Sequence, residues 1–226
     1  DDQSAFALSL RYFTLGEIEL RQFANDPGTI AKPNELALDG SYSLKLSPTF
    51  SMAVGGRYIR SNLKLPQNGS EDSKAAGSFA VDVAGYYRSD EIAYNNFDGR
   101  WRAGFNLSNI GGKIQYDAGG QENFLPSKLS FGGGFDFILD QDNVIGITTE
   151  FNKLLVPTPQ DYDNDGDVDS ADNDIYQNES GFSGIFNSFT DAPDGFSEEL
   201  KEFTWALGAE YIYQDAFMLR TGYFNE

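Results

Sequence analysis

The twelve residues from Asp161 to Asp172 read Asp-Tyr-Asp-Asn-Asp-Gly-Asp-Val-Asp-Ser-Ala-Asp, and their spacing matches a cation-binding loop. Asp161, Asp163 and Asp165 fall at the first, third and fifth positions. Gly166 falls at the sixth, where such a loop turns sharply. Asp167 would offer its backbone carbonyl, Val168 an apolar anchor and Asp169 a contact through water, and Asp172 would close the ring. An all-oxygen set of this kind suits Ca2+, a hard cation that takes six to eight ligands. The spacing therefore predicts a structural Ca2+ site held by Asp161, Asp163, Asp165, Asp167, Asp169 and Asp172, with an affinity on the order of 10⁻⁴–10⁻³ M as in extracellular modules. The plain alternative is a solvated acidic loop, because no Lys or Arg occurs from Pro157 to Ser197.

Other chemistry is largely excluded. The chain has no Cys and no His, which removes disulfides, thiol nucleophiles, imidazole metal sites and the Ser-His-Asp triad. A net charge of -19 argues against nucleic acid, whose phosphates need a basic face. The expectation is a protein that is not an enzyme.

The elements that must carry the acidic loop are strands. From Leu36 to Ser47 the chain alternates strictly, with Leu36, Leu38, Tyr42, Leu44 and Leu46 on one face and Ala37, Asp39, Ser41, Ser43, Lys45 and Ser47 on the other. The pattern recurs and predicts nine strands, at about 4–14, 36–47, 49–60, 77–88, 99–110, 127–139, 143–156, 199–213 and 216–224. Long connections at 15–34, 61–76, 111–126 and 157–198 alternate with short ones near Pro48, at 89–98, at 140–142 and at Gln214–Asp215. Long strands with loops sorted by length predict an all-β fold, a transmembrane antiparallel β-barrel with its long loops extracellular. No run approaches the length of a membrane helix. A mean hydropathy of -0.43 is compatible with strands that are polar on one side.

The polar rows carry Arg11, Lys45, Arg57, Arg88, Arg102, Lys128 and Arg220, nearly balanced by Asp39, Asp82, Asp136, Glu150, Glu202 and Glu210. The apolar rows are read as free of charge. Nine is an odd number for a bacterial barrel, and an unpaired edge in lipid is costly. With no Met at Asp1 and a strand beginning at once, the chain is expected to be part of a larger barrel, residues 1–226 forming a single domain incomplete at both ends. In the 157–198 loop, Phe182, Ile185, Phe186 and Phe189 have the spacing of a helical apolar stripe, which Gly184 weakens. Such a stripe is either a docking surface or self-packing into the barrel mouth, and the spacing leaves both open.

Two resemblances add to this. The acidic loop resembles the dockerin form of the calcium motif, which also ends in Asp, but differs from a full EF-hand because no helix is expected before it. The stretch Ser4–Ile18 resembles the PorV (LptO) family of the type IX secretion system in the Bacteroidetes. So do Asn106-Leu-Ser-Asn-Ile-Gly-Gly-Lys-Ile-Gln-Tyr116, Phe124-Leu-Pro-Ser-Lys-Leu129 and Gly132-Gly-Gly134. The middle stretches are shared with related barrels such as PorQ, and the acidic loop is the least typical part. The resemblance implies a FadL-like barrel of fourteen strands, about nine of them here, in the outer membrane. It implies a non-enzymatic carrier beside an SprA-type translocon, taking cargo by C-terminal signal domains and passing it to a PorU-type sortase complex. The alternative that the fold allows is a FadL-type transporter of small hydrophobic molecules.

Overall fold

A computed structural model describes residues 3–21, 23, 25, 27–63, 75–116, 120–162, 165–192 and 195–225. It contains nine long strands: β1 (Ser4–Thr14), β2 (Asn34–Lys45), β3 (Phe50–Asn62), β4 (Ala76–Arg88), β5 (Asp98–Gly111), β6 (Lys128–Ile138), β7 (Asn143–Leu154), β8 (Thr204–Tyr213) and β9 (Phe217–Asn225). Each pairs antiparallel with the next in chain order. The result is one continuous all-β meander. Among the described residues β1 and β9 each have a single neighbour, so the sheet is open along those edges. Within the described residues no helix is long and apolar enough to cross a membrane.

Register joins the apolar rows of separate strands into one band. Phe6 faces Tyr42, which faces Val54, which faces Val83. Further along, Phe105 faces Phe131, then Phe151, then Trp205. This band is open: Phe6 is 83% and Leu8 79% exposed. The polar rows are the sheltered ones, with the Arg57 side chain only 15% and Asp136 only 13% exposed. That inverts the arrangement of a water-soluble sheet, whose buried face is apolar.

Because the order is a simple meander, all the long connections leave one end of the sheet. Among the described residues the most deeply buried side chains, Ser61, Lys153, Leu155, Asp172 and Ser188, lie at that end. Two small hairpins, Ile18–Leu20 with Thr29–Ala31 and Ile114–Gln115 with Glu122–Asn123, also sit there. The connection from β7 to β8 carries α1 (Ser170–Asn178), α2 (Gly181–Asn187), α3 (Phe196–Glu199) and a 3-10 turn, Leu200–Glu202. The last two replace the start of a strand expected at 199. Most of the expected loop at 61–76 lies outside the described residues.

Candidate functional site

The long-loop end is a packed cap, and its foundation is an irregularity in β5. The register between β4 and β5 shifts between Val81 and Val83, opposite Asn109 at φ 59. Asn tolerates this left-handed backbone better than most residues. Its polar groups are all used: the amide donates to Asp82 Oδ1 (2.7 Å), Nδ2 donates to Pro126 O (2.9 Å), Oδ1 accepts from Arg57 and the carbonyl accepts from Ser127 Oγ (2.7 Å). Ile114 and Leu125 then pack on Ala76 and Ala80, flanked by Ile59 and Tyr116. Tyr116 donates to Ser61 Oγ (3.0 Å), which donates to Glu35 (2.8 Å). The stretches 106–116 and 124–129 are therefore one interlocked unit.

The insert between β7 and β8 docks on that unit. Lys113 Nζ donates to the carbonyls of Tyr176 (3.4 Å) and Gln177 (2.9 Å) and lies 4.1 Å from the centre of the Phe124 ring. These carbonyls end α1, which has no basic residue in its own last turn, so Lys113 supplies the cation that a helix C-terminus favours. Burial holds the Lys113 ammonium below the usual lysine range, against the opposing pull of Glu122 and Glu179. Gly184 fits because a Cβ there would lie 2.6 Å from Phe124 and 2.8 Å from Pro157. The residue that weakened the helix expectation is thus what lets α2 approach. The apolar stripe divides: Ile185 is buried, whereas Phe182 and Phe186 are exposed.

The acidic loop adopts a tight turn ahead of α1. Asp161 accepts from the amides of Asp165 (3.2 Å) and Gly166 (2.8 Å), and Gly166 has φ 100, a conformation that demands glycine. Asp165 accepts from Asp167 N (3.0 Å). Asp169 is the N-cap of α1 and Asp172 completes a capping box. Asp172, buried, also accepts from Tyr162 N (2.5 Å). Asp163 lies outside the described residues. Val168 is 64% exposed and anchors nothing. Among the described residues no three acidic side chains converge as a metal-binding group.

Two readings of charge are corrected at the rim. Glu202 is not on the polar face. It lies in the 3-10 turn and pairs with Lys153, as does Glu199 at 2.5 Å. Lys153 itself falls in the apolar row, since it faces Leu129 two positions beyond the Phe131–Phe151 pair. That row is therefore not free of charge, and the ammonium is wholly buried under the two carboxylates. Alternation alone could not show this, because the neutralising partners come from a distant helical turn. Arg60 likewise ends the apolar row of β3, where it is exposed.

The sheltered face is a ladder of pairs. Asp39 binds Arg11 (3.2 Å) and Arg57, Arg57 reaches Asp82 (3.0 Å), Arg102 pairs with Asp136 (2.7 Å) and Arg220 with Glu210. A hollow of about 280 Å³ on this face is lined by Ser9, Arg11, Asp39, Ser41, Arg57, Asp82 and Asn106 and, between them, by Gly40, Ala53, Gly55, Gly56 and Ala84.

An antiparallel meander of long strands, apolar and open on one side, charged and sheltered on the other, and capped at one end, is the sheet of an outer-membrane type barrel. The family model described as type IX secretion system protein PorV matches residues 1–161, and the chain belongs to that family. No curated protein matches it. The matched region ends at the first residue of the acidic loop, so the helical part of the cap lies beyond it.

Proposed function

We propose that this component of the type IX secretion system is an outer-membrane barrel whose capped end is extracellular and recognises protein. It binds the C-terminal signal domain of secreted cargo at an SprA-type translocon and carries it to a PorU-type sortase complex. The observation that supports this is the cap itself: Asn109 ties 106–116 to 124–129, and Lys113 and Gly184 dock α1 and α2 on that unit, giving a preorganised surface on a rigid scaffold. The ion pairs along the sheltered face, Arg57 with Asp39 and Asp82 and Arg102 with Asp136, weigh against a carrier of small hydrophobic molecules, which needs a mainly apolar path. Pull-down of the intact protein from native membranes tests the reading. It predicts recovery of translocon and cargo signal domains, with loss in variants that unfold the cap. Recovery of neither sinks it.

We also propose that the acidic loop takes Ca2+ through Asp161, Asp163, Asp165, Asp167, Asp169 and Asp172, fixing the entry to α1. Calcium should protect the cap of the intact protein from proteolysis, and Asp165→Ala should abolish that protection. Equal cleavage with Ca2+ and with chelator counts against the site.

A further inference from the structure

The β7–β8 connection also covers part of the apolar side of the sheet. Along the apolar row of β7, Ile147 is 48% and Phe151 37% exposed. The next residues of that row, Lys153 and Leu155, are 1% and 2% exposed. The open band therefore stops between Phe151 and Lys153, and beyond it the chain covers itself. The cover over Lys153 is the turn Phe196–Glu202. Glu199 and Glu202 pair with Lys153, and the Phe203 ring lies 5.6 Å from Lys153 Nζ and packs edge-on against Phe131 of the band. An ammonium at the edge of a lipid-facing row is tolerated when it is paired in this way. These contacts hold the turn as a collar on the outer rim.

The collar is itself two-sided. Glu199 and Glu202 face the wall, and Lys201 is exposed. It is the only basic residue between Lys153 and Arg220. Phe196 and Leu200, four residues apart and so neighbours on a helical turn, are 76% and 53% exposed, on a turn joined to the apolar band through Phe203 and Phe131. We propose that Phe196–Glu202 is an interfacial membrane anchor. Phe196 and Leu200 enter the boundary between headgroups and acyl chains, about 5–10 Å deep, Lys201 lies at the level of the lipid phosphates, and the Lys153–Glu199–Glu202 cluster ties the anchor to the wall. The occupant is lipid because the collar adjoins the one surface of this molecule already built for lipid. The inference rests on the barrel reading.

The test keeps the two apart. Trp101 and Trp205 belong to the apolar band, so quenching of their emission by brominated acyl chains reports the barrel alone. The intact protein, and Phe196→Trp and Leu200→Trp variants of it, would be reconstituted in phosphatidylcholine vesicles brominated either near the headgroup or near the chain ends. The anchor predicts that the emission added by either variant is lost to shallow bromine more than to deep bromine. If Trp101 and Trp205 are quenched while the added emission is untouched by bromine but reached by aqueous iodide, the collar faces water or a protein and the anchor is overturned. If no tryptophan is quenched, the barrel reading fails and the anchor with it. Two variants keep the result readable if one does not fold.

Discussion

The sheet and the cap solve opposite problems with the same chain. The sheet turns its large apolar side chains outward, as Phe6 and Leu8 show, and shelters Arg57, Asp39 and Asp136. Its cohesion comes from a ladder of backbone hydrogen bonds that lipid makes obligatory. Apart from two short hairpins, the described part of the cap has no such ladder. It is held by individual side chains at the ends of irregular segments, among them Asn109, Lys113, Lys153 and Asp191. Ion pairs differ in the same way. Those of the sheet are partly accessible and form a chain of several members, whereas Lys153 is sealed beneath two carboxylates. The sheet is thus robust to most single changes on its polar face, and the cap depends on a few.

The largest effect expected is on the cap. Lys153→Met leaves the buried Glu199 and the half-buried Glu202 without their cation, a change that costs up to roughly 3–5 kcal/mol. Limited proteolysis should then cut within 155–203 while the strands stay protected. If the cap resists cleavage as before, the cluster is not what holds it. The matching test of the sheet is Leu8→Arg. Leu8 is 79% exposed, so little packing is lost. In a bilayer an Arg at mid-depth costs about 2–4 kcal/mol, readable in urea titrations of protein folded into vesicles. A sheet bathed in water would show a change within about 0.5 kcal/mol.

Lys113→Met sharpens the comparison within the cap. It removes two charge-assisted contacts to the end of α1 and one cation–ring contact, which together are worth about 2 kcal/mol. Hydrogen exchange should show α1 opening while β5 and β6 are unchanged. Loss of protection in those strands would mean that cap and sheet are one cooperative unit.

The same contrast governs how much the sequence revealed. Period-two alternation and sorted loop lengths locate every long strand, because one face of each meets a single environment and the side-chain period is exact. In the cap, packing overrides local signals. Gly184 reads as a helix breaker, yet α2 needs it to pass Phe124 and Pro157. Glu199 and Glu202 read as the start of a strand, yet they form a helical turn because Lys153 draws them to the rim. The helix after the acidic loop was legible in principle, since Asp169 and Asp172 stand three apart in a capping box. The calcium pattern claims the same two residues, which hid it.

The smallest effect expected is one of pH, and it runs in opposite directions at the two ends of the molecule. In the cap, Asp191 is buried and accepts from Thr158 N at 2.7 Å. Burial pushes its carboxyl above the usual range, Glu199 and Glu202 add to this, and the Thr158 bond opposes it. The folded state then holds the proton more tightly than the unfolded one. The contribution is present below the ordinary Asp value and lost as pH rises through the raised one. In the turn between β6 and β7, Asp140 accepts from the Asn143 side chain and from the amides of Asp142 and Asn143, which hold its carboxyl below the usual range. Its contribution is present above the ordinary value and lost as pH falls through the lowered one. Mild acid should therefore tighten the cap around Thr158, whereas loosening around Asn143 begins only in stronger acid. Protection factors for these two amides, corrected for intrinsic exchange, measure both. Asp191→Asn should remove the response at Thr158 and leave that at Asn143 intact. If both amides respond in the same direction, the two carboxyls are not what sets the pH dependence of the two ends.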